Sequence, residues 1–152
     1  MVRRGRLEKP ARGLYRVPQV PATQYDSFMK AVLWTGFVET CLGHDSALDA
    51  WEISDINPDK IHVTVAARRR ITRQIPSSYV IHKQDLSPDC VTWWEGIPTA
   101  TPATAIRQCL ASGVPTYLLR QAIERCARTG LVSTHEREEL ARLLEARHAS
   151  QP

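Results

Sequence analysis

The amino-acid sequence predicts an α+β fold: a small mixed β-sheet packed with helices, three of them at the C-terminal end. The first observation behind this prediction is that a helical pattern, a turn and an alternating strand follow one another without a spacer. Asn57 and Pro58 mark the turn, because Asn bonds its own backbone and Pro cannot continue a helix. The apolar positions are Ala47, Leu48 and Trp51 in the helix and Ile61, Val63 and Val65 in the strand. We expect this helix and this strand to share one core.

The second observation is a series of helix signals in the last third of the chain. Thr101 followed by Pro102 is typical of a helix start, and Gly113 is typical of a helix end. Two further helices are predicted over residues 115–128 and 133–148. The inward positions of the three helices are Ile106, Cys109 and Leu110, then Leu118, Leu119, Ala122, Ile123 and Cys126, then Leu140, Leu143 and Leu144.

Local patterns predict the remaining elements. Two capping boxes, each a Ser or Thr followed three residues later by an acidic residue, mark helix starts at Thr23 and Ser133. Trp94 is expected to turn away from Val91 and Trp93 and to pack in the core. The helix after Thr23 presents an apolar face of Tyr25, Phe28, Met29, Val32 and Leu33. Further strands are predicted over residues 37–42, 78–83, 90–94 and 97–101.

Basic residues are concentrated near the N-terminus. The 152-residue chain has a net charge of +4, but its first 21 residues carry six basic side chains and one acidic one. This segment therefore has a net charge of +5, and the other 131 residues sum to −1. A basic arm on a nearly neutral body is typical of a polyanion partner, most often nucleic acid. The alternative is a solvated, mobile terminus.

Length and composition exclude several other classes of protein. The chain suits one domain, or one domain plus a fragment of another. We expect a cytoplasmic protein, because no signal peptide and no apolar stretch long enough to span a membrane are found. The four cysteines are 49, 19 and 17 residues apart with no C-x-x-C pair, so buried free thiols are expected rather than a zinc knuckle.

The sequence offers little support for catalysis, and neither a metal nor a cofactor is predicted. It contains no G-x-S-x-G, G-x-x-x-x-G-K-[ST], G-x-G-x-x-G or H-E-x-x-H motif. His62 and His82 lie on adjacent predicted strands and are expected to meet, but two histidines without a third ligand are a weak metal signal. A degenerate nuclease is the enzymatic alternative. It would need strand carboxylates with a Lys two residues beyond one of them, which His82 and Lys83 do not satisfy.

Five stretches, in order along the chain, resemble the AbiEi-type antitoxins of type IV toxin–antitoxin systems. Together they cover most of residues 3–107. They are RRGRLEKPARGLYRVP, YDSFMKAVLWTG, SALDAWEISDINPDKIHVTV, SSYVIHKQDL and GIPTATPATAI. The resemblance implies a winged helix-turn-helix followed by a C-terminal α+β domain.

The first of these stretches resembles the wing of the DNA-binding domain, without the helices that precede it in the family. We expect residues 1–21 to be this wing remnant and a connector, residues 22–148 the C-terminal domain, and residues 149–152 a frayed tail. A wing places basic side chains against phosphates and in the minor groove, which supports affinity and orientation more than sequence reading. With the wing alone, DNA binding by this chain should be weak. The candidate residues are Arg4, Arg6, Arg12 and Arg16.

The family resemblance implies an antitoxin that represses its own operon and counteracts a nucleotidyltransferase-like toxin without forming a stable complex with it. Arg68, Arg69, Arg70 and Arg73 form a second basic cluster between two predicted strands, where a hairpin turn is expected. This cluster is either a solvated rim or a second site for phosphates of RNA or a nucleotide. The alternative function is that of an interaction or scaffold domain without either antitoxin role.

The chain departs from the family pattern at three positions. Gly43 stands where related sequences tend to have Ser, and Ala105 stands where they have Thr. Gln108 replaces an Asp, so it can act only as a neutral hydrogen-bonding group. The exchange at Gly43 predicts a weaker cap for the helix that starts at residues 44–46.

Overall fold

The computed structural model describes residues 22–36 and 38–150, without the side chains of residues 22–24 and 148–150. The chain forms five helices, five strands and a short 3₁₀ turn over Pro88–Cys90. The helices are α1 (Ala22–Trp34), α2 (His44–Trp51), α3 (Pro102–Ser112), α4 (Thr116–Thr129) and α5 (Thr134–Ser150). The strands are β1 (Thr40–Leu42), β2 (Ile61–Val65), β3 (Tyr79–Lys83), β4 (Val91–Trp94) and β5 (Ile97–Ala100).

The strands form one mixed sheet in the order β3-β2-β1-β5-β4. β1 is antiparallel to β2 and parallel to β5. β2 and β3 are parallel, whereas β4 and β5 form an antiparallel pair. The predicted α+β class with a mixed sheet and three C-terminal helices is therefore confirmed.

The two faces of the sheet bury separate sets of apolar side chains. On one face, α1 packs through Phe28 and Val32 against Leu42 and Ile97. The other face contributes Cys41 and Ala100 to a larger core, which α2, α3, α4 and α5 complete. This larger core contains Leu48, Ile106, Leu119, Ala122 and Leu140, all fully buried. The C-terminal helices thus cover the sheet face opposite to α1.

The predicted capping residues fix two of the C-terminal helices. Thr101 accepts a hydrogen bond from the Thr104 amide at the start of α3, and Gly113 ends that helix with a left-handed φ of 91°. At α5, the Ser133 hydroxyl accepts from the Glu136 amide, and the Glu136 carboxylate accepts from the Ser133 amide. The reciprocal pair confirms this capping box. α5 continues to Ser150, so it extends into the predicted frayed tail.

The prediction that Leu48 and Val63 share a core is wrong. Leu48 belongs to the larger core with the C-terminal helices, whereas Val63 packs with Ala31 of α1 on the opposite face. The alternation of β2 put Val63 on an apolar face correctly. Both faces of this central strand are covered, however, since Thr64 is also buried. The alternation of a single strand therefore could not show against which face of the sheet the helix packs.

The connection from β2 to β3 is not the predicted hairpin. The two strands pair in parallel, with Val63 opposite Ile81. A parallel pair requires a crossover connection, and residues 66–78 form it without a helix. We call this segment the crossover loop. The length of this loop is typical of a crossover connection and is too long for a tight turn. This length was the one signal in the sequence that pointed to a crossover.

Smaller differences concern element ends and single side chains. The strand predicted over 37–42 is confined to Thr40–Leu42, and α1 begins at Ala22, one residue before the predicted cap Thr23. Leu33 and Leu143 are 48% and 42% exposed and so do not face the core. On α5, Leu140 and Leu144 are four residues apart and form the buried stripe, to which Leu143 does not belong.

The predictions for Trp94 and for the cysteines are confirmed. Trp94 packs edge-on against Phe28 of α1, with ring centroids 5.8 Å apart, while Trp93 is exposed. All four cysteines are free thiols, and three of them are buried. Of the helices within residues 22–36 and 38–150, none is long and apolar enough to cross a membrane.

Candidate functional site

The predicted basic sites fall in two different parts of the chain. Arg4, Arg6, Arg12 and Arg16 lie outside the described residues. Arg68, Arg69, Arg70 and Arg73 lie in the crossover loop. The structure thus places only the second group, and it places that group beside the C-terminal end of α1.

Two arginines of the crossover loop hold the end of α1. Arg69 donates to the backbone carbonyls of Thr35 and Val38, and Arg73 donates to the carbonyl of Trp34 at 2.5 Å. The Arg73 guanidinium also lies 4.2 Å from the centroid of the Trp34 ring. Cations at a helix C-terminus bind its unpaired carbonyls and stabilise its dipole. Arg69 and Arg73 therefore have a structural role.

The other two arginines of the loop face solvent. Arg68 is exposed and forms an ion pair with Glu39, which is itself exposed. Arg70 is also exposed. An exposed ion pair contributes at most about 1 kcal/mol to stability, so Glu39 does not prevent Arg68 from binding a phosphate. Arg68 and Arg70 are the members of the cluster that remain candidates for an external ligand.

A buried glutamine joins three elements on the α3 side of the sheet. Gln108, only 3% exposed, accepts the His44 amide at 2.9 Å through its Oε1 atom. Its Nε2 atom donates to the Thr64 hydroxyl at 3.2 Å and to the Gln84 Oε1 at 3.0 Å. Gln108 therefore supplies the N-terminal cap of α2 from a different helix, since the Gly43 position has no side chain to do so.

Glycine is required at position 43 because side-chain atoms of other residues lie close to it, and not because of its backbone angles. Its φ of −146° is open to any residue. A Cβ at this position would lie 2.9 Å from the Gln108 Oε1 and would overlap the Thr64 hydroxyl. Gly43 and Gln108, two of the three positions at which the sequence departs from the pattern it resembles, are thus adjacent in space. The cap predicted to be weaker is supplied by Gln108.

Three histidines stack beside this glutamine. His62 and His82 meet as expected, with the Nδ1 atom of His62 2.9 Å from the Nε2 atom of His82. His44 was not among the candidate residues. Its ring lies on that of His82, with centroids 3.6 Å apart and planes inclined by 13°. Its φ of 51° places it in the left-handed region, where Asn, Asp and His are enriched.

Burial keeps this histidine cluster uncharged. The pKa of His44 is lowered from 6.5 to about 3, mainly by burial and to a smaller extent by the nearby rings of His82 and His62. Burial is also the main cause of the lowered pKa values of His62 and His82, although the Asp45 carboxylate opposes it at both. At neutral pH the contact between His62 and His82 therefore has one N–H donor and one lone-pair acceptor.

The stack is not arranged to bind a metal. Ring nitrogens coordinate a metal through lone pairs in the plane of the ring, and nearly parallel stacked rings do not direct these lone pairs to one point. In the part of the chain that the structure describes, no group of three or more His, Cys, Asp or Glu residues is able to hold a metal ion.

We predict that acid destabilises the protein through the histidine cluster. The unfolded chain takes up protons near pH 6.5, whereas the folded protein resists them because the three pKa values are lowered. The free energy of unfolding should therefore fall as the pH drops below about 6.5. Replacing His44 by Asn, which also tolerates a left-handed φ, should reduce this slope by up to about 1.4 kcal/mol per pH unit. Urea unfolding at a series of pH values measures both slopes.

His135→Asn is the matched control, because His135 is exposed on α5. Its slope should equal that of the wild type. A slope unchanged by His44→Asn would show that His44 takes up its proton in the folded state as readily as in the unfolded state.

A cavity of about 610 Å³ opens next to the histidine stack. Its walls are the end of β3, over residues 81–84, and one face of α3. The lining residues from α3 are Thr104, Arg107, Gln108 and Ala111, and His44 and His82 complete the polar wall. We call it the α3 cavity.

Comparison with known proteins does not assign this site. Neither the family models nor the curated proteins include a match to this chain.

Proposed function

We propose that this protein is an antitoxin that counteracts a nucleotidyltransferase-like toxin in the cytoplasm. The observation that supports the proposal is where the family-like stretches lie. Apart from the first, which falls outside the described residues, they form α1, the α2–β2 unit, β3 and the β5–α3 unit. These elements pack around one sheet, so the resemblance follows a continuous structural unit and not scattered segments.

Surface charge suggests how such an antitoxin acts. A type IV antitoxin opposes the effect of its toxin without a stable complex, so contact with the toxin's RNA or nucleotide substrate is physically sensible. Arg68 and Arg70 are exposed on the crossover loop. Their guanidinium groups can bind phosphate oxygens through two parallel hydrogen bonds. Arg69 and Arg73 hold them in place by fixing the loop to the C-terminal end of α1.

We expect the double replacement of Arg68 and Arg70 by Ser to abolish rescue of toxin-expressing cells. The fold should survive, because exposed substitutions usually cost less than about 0.5 kcal/mol each. Replacing all four arginines would be a poorer test, since Arg69 and Arg73 bind backbone carbonyls at the C-terminal end of α1 and just after it. Growth after toxin induction, at equal protein level and unchanged circular dichroism, is the measurement.

The control for this experiment is the double replacement of Arg128 and Arg142 by Ser. Both are exposed, on α4 and α5, and the change removes the same net charge. This variant should rescue as well as the wild type. Full rescue by the Arg68 and Arg70 variant would assign the exposed arginines to a solvated rim.

Binding to DNA through Arg4, Arg6, Arg12 and Arg16 stays a prediction. We expect this chain alone to bind DNA weakly, with a dissociation constant near or above about 10⁻⁶ M and a steep dependence on salt. A gel shift titrated with salt tests this expectation. Tight binding to a defined inverted repeat would contradict it.

Two alternatives compete with the antitoxin proposal. An interaction or scaffold domain would share the fold but would not restore growth. For a degenerate nuclease, the described sheet offers no strand carboxylate, because β1 to β5 contain neither Asp nor Glu. Such carboxylates are what a Mg²⁺-dependent nuclease needs on neighbouring strands.

A further inference from the structure

The α3 cavity has the size of a small-molecule site. Its volume of about 610 Å³ lies within the range of roughly 300–1,000 Å³ that ligand pockets occupy. A second cavity of about 390 Å³, near Cys41 and Trp93, shares Gln84 and Leu86 with it. The smaller cavity is lined by two carboxylates, Glu39 and Asp85, and by no cation, so the α3 cavity is the stronger candidate for a ligand with an anionic group.

The inner wall of the α3 cavity is polar but uncharged. Burial lowers the pKa values of His44 and His82, so at neutral pH both rings are uncharged. The Nε2 atom of His82 contacts His62, which leaves its Nδ1 atom for a ligand. The side-chain amides of Gln84 and Gln108 lie on the same wall. Gln108 uses both Nε2 protons on Thr64 and Gln84, so its Oε1 atom acts as an acceptor for a ligand and the Nε2 atom of Gln84 as a donor. Flat, neutral rings and amides suit a planar heterocycle whose edge has both donors and acceptors, and they suit a carboxylate or an ammonium group less well.

A cation lies on the same face of α3. Arg107 is one helical turn from Thr104 and lines the cavity, with its side chain 37% exposed. One of its five donors binds the Glu139 carboxylate at 2.7 Å. The planar guanidinium has donors left to hold an anion while it keeps this ion pair, and phosphate is the anion that Arg recognises with two parallel hydrogen bonds. The cavity therefore combines a neutral polar wall with two cations, Arg107 on α3 and the exposed Lys83 at the end of β3.

We propose that the α3 cavity binds a nucleoside monophosphate, with the base against the wall formed by His82, Gln84 and Gln108 and the phosphate at Arg107. This inference goes beyond the antitoxin proposal and rests on the cavity alone. It holds or fails whether or not the protein restores growth of toxin-expressing cells.

Isothermal titration calorimetry with AMP, adenosine and ribose 5-phosphate tests the two halves of the site. We expect AMP to bind the full chain with one-to-one stoichiometry and a dissociation constant between about 10 μM and 1 mM. Adenosine and ribose 5-phosphate should each bind at least about tenfold more weakly, because each lacks one of the two recognised groups. GMP, CMP and UMP show whether the wall selects a base.

Three variants assign the binding to this cavity. Arg107→Gln should weaken AMP at least about tenfold and leave adenosine unchanged, because it removes the guanidinium that holds the phosphate and leaves the neutral wall intact. Ala111→Trp, at an exposed position of the cavity wall, should abolish binding of both by filling the space. Arg120→Gln breaks a comparable exposed ion pair, with Glu145, and should change nothing.

Amide chemical shifts of the wild-type protein give a readout that needs no variant. On addition of AMP, the side-chain amides of Gln84 and Gln108 should shift. The proposal is overturned if none of the four nucleotides binds at up to about 5 mM. Binding that persists in Ala111→Trp, or shifts confined to other parts of the molecule, would also overturn it.

Discussion

Replacing Leu48 by Ala is expected to lower the free energy of unfolding by about 2–5 kcal/mol. Leu48 is fully buried in α2 and belongs to the larger core, together with Ile106 of α3 and Leu119 of α4. Removal of its isopropyl group leaves a cavity between elements that come from distant parts of the sequence. Urea unfolding monitored by circular dichroism measures the loss.

Leu33→Ala is the matched control for this experiment, since it makes the same chemical change at a position that is 48% exposed. It should cost less than about 1 kcal/mol, because little apolar area returns to water. Equal losses for the two variants would show that Leu48 is not at the centre of the larger core.

A Cβ at position 43 should also destabilise the protein strongly. Gly43→Ala places a methyl group against the Thr64 hydroxyl and 2.9 Å from the Gln108 Oε1 that caps α2. Such overpacking costs about 1–3 kcal/mol when the neighbours are held in place. Gln108 is held by three hydrogen bonds, so it cannot move away without losing some of them.

The Thr64→Ala background tests this explanation. Without the Thr64 hydroxyl, the new methyl group has room on one side, and the cost of Gly43→Ala should fall. We expect a coupling energy between the two substitutions of about 0.5–3 kcal/mol. Strictly additive effects in this double-mutant cycle would contradict the proposed contact.

The local elements of this fold could be predicted from the sequence because their signals are local. The alternation of β2, the Thr101 cap of α3 and the capping box of α5 each act over a few residues. The pairing of the strands could not be predicted in the same way. The parallel arrangement of β2 and β3 depends on the crossover loop, which packs against the end of α1 through Arg69.

The candidate site was predictable only in part for the same reason. His62 and His82 lie on consecutive predicted strands, so their meeting followed from strand order. The position of His44 depends on the left-handed backbone at the start of α2 and on Gln108, 64 residues away. The role of Arg69 and Arg73 was likewise hidden, because the carbonyls they bind lie at or just after the end of α1, more than thirty residues earlier.

Growth rescue combined with co-purification tests the antitoxin proposal most directly. The protein would be expressed, with an affinity tag, in cells that carry an inducible nucleotidyltransferase-like toxin. We predict that growth is restored and that the tagged protein, purified from the same cells, retains no toxin. The Leu48→Ala variant serves as a control, because it shows whether a destabilised chain still restores growth. Absence of rescue by the wild type at full expression would contradict the proposal, and rescue with stoichiometric retention of the toxin would contradict its type IV mechanism.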